Sequence, residues 1–342
     1  MKVTIGVDVS GADVDQRALF EACLTAATRT SISLICYHSS SSVFFSKSSS
    51  SSDTSKPGDS TSAKEAQGAS QELSRSRETG ASSSIECQYC PDVISMKDEA
   101  LVAIRLKKNS SLVRAMNDLK SGRISALVTC ANTGAVTAAA VVYLKRFSRL
   151  HHPALIAVLP LPKGPVVALD MGAFVTATHK DLCSYAFLGS AYATVCQHLQ
   201  RPRIGLLNIA REQGRGTHEL QQADHMLSHT PAPWQYIGNV EPEDIFSGRV
   251  DVLVTAGFAG NIFLKTAEAM MALTGVSIAN PGRGALLAGV QGVVIKCHGS
   301  SSASALITAI GQAQEAVEQS TVTALERAFT TLTPCPIMNT PD

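Results

Sequence analysis

Leu127 to Ala140 reads LVTCANTGAVTAAA. Its opening, Leu127-Val128-Thr129-Cys130, is too short for a helix and has the apolar, β-branched character of a buried strand. Its end is a row of alanines, the strongest helix formers. Between them, Asn132-Thr133-Gly134 supplies a side-chain amide that can accept from the first free N–H groups of a helix. A strand that turns straight into a helix is half of a βαβ unit. The stretch therefore predicts an α/β protein with a largely parallel sheet, in which the C-terminal strand ends carry the ligands.

The same alternation continues on both sides. VTIGVDVS precedes DQRALFEACLTAATR, and SISLICYH follows. Beyond the opening stretch come PALIAVL, then PVVALDM before DLCSYAFLGSAYATVCQHL, RIGLLNI before GTHELQQADHMLSH, QYIGNV, RVDVLVTAG before NIFLKTAEAMMAL, and GVVIKCHG before SASALITAIGQAQEAVEQ. Residues 1–330 read as one α/β unit with a cleft, and 331–342 as a C-terminal tail. Residues 46–84 are a Ser-rich block with almost no large apolar side chain, too polar to bury the surface that ordering requires, and are expected to be a mobile surface insertion.

The chain has 342 residues, 45% hydrophobic and 17% charged, with a formal net charge of +1. That suits a globular core and supplies no global field for nucleic acid or an anionic membrane, so any anion site must be local. The chain reaches Asp8 before any apolar run long enough for a signal peptide, and none is expected. Its most apolar region is broken by Pro160, Pro162, Lys163 and Pro165, so no membrane span is expected either. Nine cysteines scattered through apolar segments suit a reducing compartment, and a cytoplasmic protein is expected. Cys87 and Cys90 form a lone C-x-x-C with no second pair and are read as part of a loop, without metal or redox use. His218, His225 and His229 lack a surrounding carboxylate or cysteine set and are read as an exposed polar face.

Three strand-like runs end in one chemical idiom: VTC-ANTG-AVTAAA, VTA-GFAGN-IFLKTAEA and IKC-HGSSSASA-LITAI. In each, small residues at a helix start leave backbone N–H groups free at the positive end of the helix dipole, which favours an anion. One such turn alone is ordinarily a helix cap. Three of them, with the basic stretch RLKKNSS at Arg105 to Ser111, point to phosphate or a phosphoester. None is a Walker or dinucleotide fingerprint, so ATP and NAD are not indicated and no cofactor or metal is expected.

The series GVDVSGAD, LKKNSSLVRAM, ANTGAV, LDMGA, GLLNI, YIGNVE, GFAGNIFLKT and IKCHGSS resembles, in order and spacing, the PlsX family of phosphate acyltransferases of bacterial phospholipid synthesis. The resemblance runs from Lys2 to about Gln319, leaving out the Ser-rich block. It implies a three-layer α/β/α fold of the isocitrate/isopropylmalate-dehydrogenase type, similar to phosphate acetyltransferases. It also implies transfer of a fatty acyl chain from acyl carrier protein to inorganic phosphate, giving an acyl phosphate for a downstream glycerol-3-phosphate acyltransferase. On this resemblance Asn132, Thr133 and Gly134, with His298, Gly299, Ser300 and Ser301, hold phosphate, and Lys108, Asn109 and Ser110 line the same cleft. Asp170, Asn208, Gly260 and Lys265 belong to the substrate site through the motifs that contain them. Arg215 stands in for a family lysine pair, and Asn261 orients the carbonyl. His298 is also read as catalytic, a neutral imidazole that shuttles the phosphate proton. It is equally readable as a capping or packing histidine, and Asn261 as a helix N-cap.

Ala12, Ala256 and Arg215 depart from the family pattern. Two alternatives stay open beside the main one: a phosphate acetyl- or butyryltransferase using acyl-CoA, and a catalytically weakened scaffold for acyl carrier protein. The 16 residues between Lys265 and Gly282 replace a longer helical pair used in the family for dimer contact and membrane attachment. That shortening predicts a weaker homodimer, with AEAMMAL packed on the body and membrane association only through a partner.

Overall fold

The computed structural model describes residues 3–10, 15–29, 32–39, 77–78, 84–274, 283–299 and 301–332. Most of the Ser-rich block, with Ala12, Ser300 and nearly all of the 331–342 segment, lies outside the described residues. Within that block, Arg77–Glu78 forms a short strand.

The strands are β1 (Thr4–Asp8), β2 (Ser33–His38), β3 (Arg77–Glu78), β4 (Ser84–Tyr89), β5 (Ala126–Thr129), β6 (Ala154–Leu161), β7 (Gly164–Leu169), β8 (Arg203–Leu207), β9 (Gln235–Val240), β10 (Val252–Val254), β11 (Ala285–Ala288) and β12 (Val293–Lys296). The described helices are α1 (Gln16–Arg29), α2 (Ala100–Leu106), α3 (Ser111–Ser121), α4 (Thr133–Tyr143), α5 (His179–Gln197), α6 (His218–His229), α7 (Pro242–Phe246), α8 (Gly257–Thr274), α9 (Ala303–Glu318) and α10 (Thr321–Leu332).

One sheet holds the strands in the order β3-β4-β2-β1-β5-β12-β11-β6-β7-β10-β8-β9. β4, β2, β1, β5 and β12 run parallel to one another, as do β7, β10, β8 and β9. Between the blocks lie three antiparallel steps, β12 to β11, β11 to β6 and β6 to β7. An odd number of reversals sets the second block against the first. The C-terminal ends of β5 and β12 therefore face one sheet edge, and those of β7, β8 and β10 the other.

Both faces are covered. Along β5, Ala126 and Val128 enter one core with α1, α5, α6, α9 and α10, while Leu127 enters the other with α2, α3, α4 and α7. This is the period of two expected of a strand buried on both sides, and it makes the architecture three-layered, α/β/α. Phe187 of α5 meets Trp234 edge to face at 4.5 Å, closing the first core beneath β8 and β9.

Two expectations are corrected. Cys87 lies inside β4, paired in parallel with Cys36 of β2, and Cys90 is buried just beyond, so the C-x-x-C belongs to the sheet and not to a loop. Of AEAMMAL, Ala267 is buried, but Met270 and Leu273 are exposed. Here α8 has run past the body, on which Phe263 and Leu264 still pack.

The connection after β8 is fastened electrostatically. Arg211 donates from Nε to Asp244 at 2.8 Å, and Arg249 reaches the other carboxylate oxygen at 2.5 Å. The Arg211 guanidinium holds the buried Asp244 carboxyl below the usual carboxylate range, helped by the Glu241 N–H. A depressed carboxylate contributes stability that is complete above its unfolded value, about 3.9, and is lost as pH falls through the folded value. Protection from hydrogen exchange across residues 209–216, relative to the intrinsic rate at each pH, is expected to fall as pH drops below about 4. Asp244→Asn should be less heat-stable at neutral pH and show a flatter acid limb; an acid limb identical to that of the wild type would contradict the assignment.

Candidate active site

Two clusters form at opposite strand ends. In the first, β5 and β12 lie side by side, with Lys296 in register with Thr129, and the Cys297 N–H donates to the Thr129 carbonyl at 2.8 Å. Their following turns, Asn132-Thr133-Gly134 and His298-Gly299, are thereby neighbours. Asn132 is the N-cap of α4: its Oδ1 accepts from the Ala135 N–H at 3.1 Å and its Nδ2 donates to the Met96 carbonyl at 2.9 Å. With the amide occupied on both sides, the anion-binding capacity of this turn rests on the N–H groups of Thr133 and Gly134, which have no partner among the described residues. Ser301 donates its N–H to the His298 carbonyl, and Ser302, not His298, caps α9.

The second cluster is built on Asp170, which follows β7. Its buried carboxylate accepts from the N–H groups of Leu155 (2.9 Å), Gly172 (3.1 Å), Ala173 (2.9 Å) and Phe174 (2.9 Å). Burial pushes this carboxyl up, and the backbone donors oppose that shift. Asp170 thus organises the 170–174 turn with its own oxygens already engaged. Against that turn lies α8. At Gly260 an added Cβ would come 2.1 Å from the Asp170 carbonyl oxygen, an approach only glycine permits. Asn261 is exposed in the second turn of α8, which begins at Gly257, so the N-cap reading of Asn261 is corrected. Its side chain lies beside Gly172, whose φ of +117 keeps that face free of a Cβ.

Asn208, after β8, is committed to its loop. It donates to the Arg215 carbonyl and to Asn239 Oδ1, each at 3.0 Å, and accepts from the Ile209 N–H. Arg215 itself is exposed, 3.9 Å from Glu212.

Lys265 joins the clusters. Its Nζ donates to His298 Nδ1 at 2.8 Å and also contacts Nε2, while Glu268 Oε2 stands 3.6 Å from His298 Nε2. From Gly257 to Lys265 is about 12 Å along a helix axis, so α8 carries a cation from one strand-end cluster to the other. Burial raises the Glu268 carboxyl, and Lys265 offsets part of that rise.

Other candidates lie elsewhere. Lys108 donates to the Tyr143 hydroxyl at 3.4 Å, at the far end of α4 from Gly134. Asn109 is held by Asp92 and Arg114, and Ser110 is a buried cap for α3. His225 and His229 stack 4.5 Å apart on an exposed face, and the described residues hold no cluster able to bind a metal ion. Sequence reasoning missed Glu268 and Lys296. The i,i+3 spacing of Lys265 and Glu268 marked the first, and a lysine inside the apolar run VVIKC marked the second. Burial lowers the Lys296 ammonium pKa.

The fold is that of the phosphotransacetylases. A phosphotransacetylase from Streptococcus pyogenes matches with a TM-score of 0.55 at 13% identity, covering 96% of this chain and 94% of that one. EutD phosphotransacetylase from Staphylococcus aureus matches at 0.52 and 16%, covering 97% and 94%. This likeness is one of fold. At the level of sequence, the family described as fatty acid synthesis protein matches residues 62–280. A phosphate acyltransferase of Heliobacterium modesticaldum is 36% identical over 74% of this chain and 84% of its own length. Its counterpart in Exiguobacterium sibiricum is 38% identical over 71% and 82%. The chain belongs to the PlsX family of phosphate acyltransferases.

The contact at Gly260 is the most exposed to test. Gly260→Ala forces α8 off the 170–174 turn and shifts Asn261 and Lys265 together. A displacement near 1 Å is expected to cost on the order of 10²-fold in turnover. Wild-type turnover in soluble Gly260→Ala would show that the placement of α8 does not matter to the site.

Proposed function

We propose that this chain transfers a fatty acyl group from the thioester of acyl carrier protein to inorganic phosphate. The observation that carries the reading is the Lys265 to His298 contact, which unites an anion-binding turn with the cluster that presents Asn261. Phosphate is already nucleophilic near neutral pH, so the site needs to orient and desolvate it without supplying a covalent nucleophile. The Thr133 and Gly134 N–H groups and the Lys265 ammonium receive its charge. A phosphate oxygen attacks the carbonyl carbon, the C–O bond forms as the C–S bond breaks, and the sulfur leaves as a thiolate. His298 relays the phosphate proton to that sulfur. Asn261 donates to the carbonyl oxygen as negative charge builds there, and Arg215 closes over the anion from the 209–216 loop.

Within this reading the acyl phosphate passes to a glycerol-3-phosphate acyltransferase in phospholipid synthesis. The enzyme works in the cytoplasm, dimerises only weakly and meets the membrane through a protein partner. No described helix is long and apolar enough to cross a membrane.

Purified protein given palmitoyl carrier protein and phosphate is expected to release free carrier protein and acyl phosphate, with palmitoyl-CoA a poorer donor. Asn261→Ala and Arg215→Ala should each lose about 10²-fold in turnover while remaining folded, as removal of an oxyanion donor does. Faster reaction with acyl-CoA would move the activity to the acyl-CoA class. Absence of product from either donor would leave the scaffold reading, and a strong gain on Arg215→Lys would then show a mistuned site.

A further inference from the structure

Beneath the first cluster lies a buried polar group that the mechanism does not use. Asp8, at the end of β1, is 1% exposed. Its Oδ1 accepts the Ser10 N–H at 3.1 Å, and its Oδ2 accepts the Thr129 hydroxyl at 2.9 Å. Burial raises this carboxyl, while those donors and the buried Lys296 ammonium nearby oppose the shift.

Thr129 leads to two turns. Its Oγ1 accepts from the Ala131 N–H at 3.1 Å, fixing the start of the Asn132 turn. Its carbonyl accepts from the Cys297 N–H, fixing the start of the His298 turn. A carboxylate only accepts, so the Thr129 hydroxyl must turn its hydrogen toward it. That leaves the Thr129 lone pair free for Ala131. An asparagine would put N–H groups where one hydroxyl must donate.

We propose that Asp8 is a positioning residue for the phosphate subsite, acting through Thr129 to hold the turns after β5 and β12 in one arrangement. The inference rests on the phosphate-acyltransferase reading. A buried charge is costly unless its hydrogen bonds are satisfied, and the Thr129 bond that helps to satisfy this one also fixes the backbone entering both turns.

The test uses the full-length protein with Asp8→Asn, the isosteric Thr129→Val and the hydroxyl-retaining Thr129→Ser. In soluble Asp8→Asn and Thr129→Val the KM for phosphate is expected to rise on the order of tenfold or more, while the KM for the acyl donor stays within about twofold. Thr129→Ser should recover the phosphate KM. An unchanged phosphate KM in the first two variants, or a uniform fall in kcat alone, overturns the inference.

Should the wild type not use phosphate at all, the functional reading fails by itself. Hydrogen exchange then decides the positioning inference without substrate. Concerted acceleration across residues 130–136 and 296–299 in Asp8→Asn and in Thr129→Val supports it. Acceleration at one turn only, or at none, refutes it.

Discussion

The carboxylate of Asp170 is the interaction on which the site depends. Charge taken out of water is tolerated only where donors replace the lost hydration, and four backbone N–H groups do so here. Meeting that demand curls residues 170–174 into a tight turn. The turn presents a flat backbone surface, and Gly260 lets α8 lie directly on it. Everything farther along α8 inherits its position from this contact, including Asn261, Lys265 and Glu268. A residue that touches no substrate in the proposed reaction thus fixes the residues that do.

The reversal of strand direction explains why a helix has to make the connection. In a wholly parallel sheet the strand ends gather on one edge and loops alone can build a site. Here three antiparallel steps place the turns after β5 and β12 on one edge and the turns after β7, β8 and β10 on the other. Only an element long enough to cross can join them, and α8 has 18 residues. The Lys265 contact to His298 also sets the local electrostatics. It puts a cation on the His298 turn, which neighbours the N-terminus of α4, the positive end of that helix dipole.

Beneath these exposed groups the same edge is organised by buried ones. Asp8 holds Thr129 through one hydrogen bond, and Thr129 in turn fixes the backbone entering the turns after β5 and β12. Lys296 adds a positive charge at the floor, its Nζ donating to the Cys297 carbonyl. Such groups are costly to bury, and their bonds are made to backbone that borders the cleft.

The sequence by itself determined the layers. Alternation within Leu127–Thr129, and the succession of short β-branched runs with longer helical ones, required strands buried on both faces and hence helices on both sides. QYIGNV is a strand over its whole length, and Asn132 is the cap its position implied. Motif order also carried the family. Local pattern did not carry β4, β11, α2, α3, α7 or α10, because SIECQY borders the Ser-rich block, ALLA is only four residues long, and α10 shows its apolar pair Leu325 and Phe329 only against α5. Tertiary structure alone decided which motif residues meet. Asn208 and Asp170 turned inward to hold backbone, Lys108 turned to Tyr143, and Lys265 found His298 across 33 positions of sequence. Periodicity reports which face of an element is buried, whereas the partner of a polar side chain is set by how distant strand ends are brought together. That depends on the direction of every strand between them.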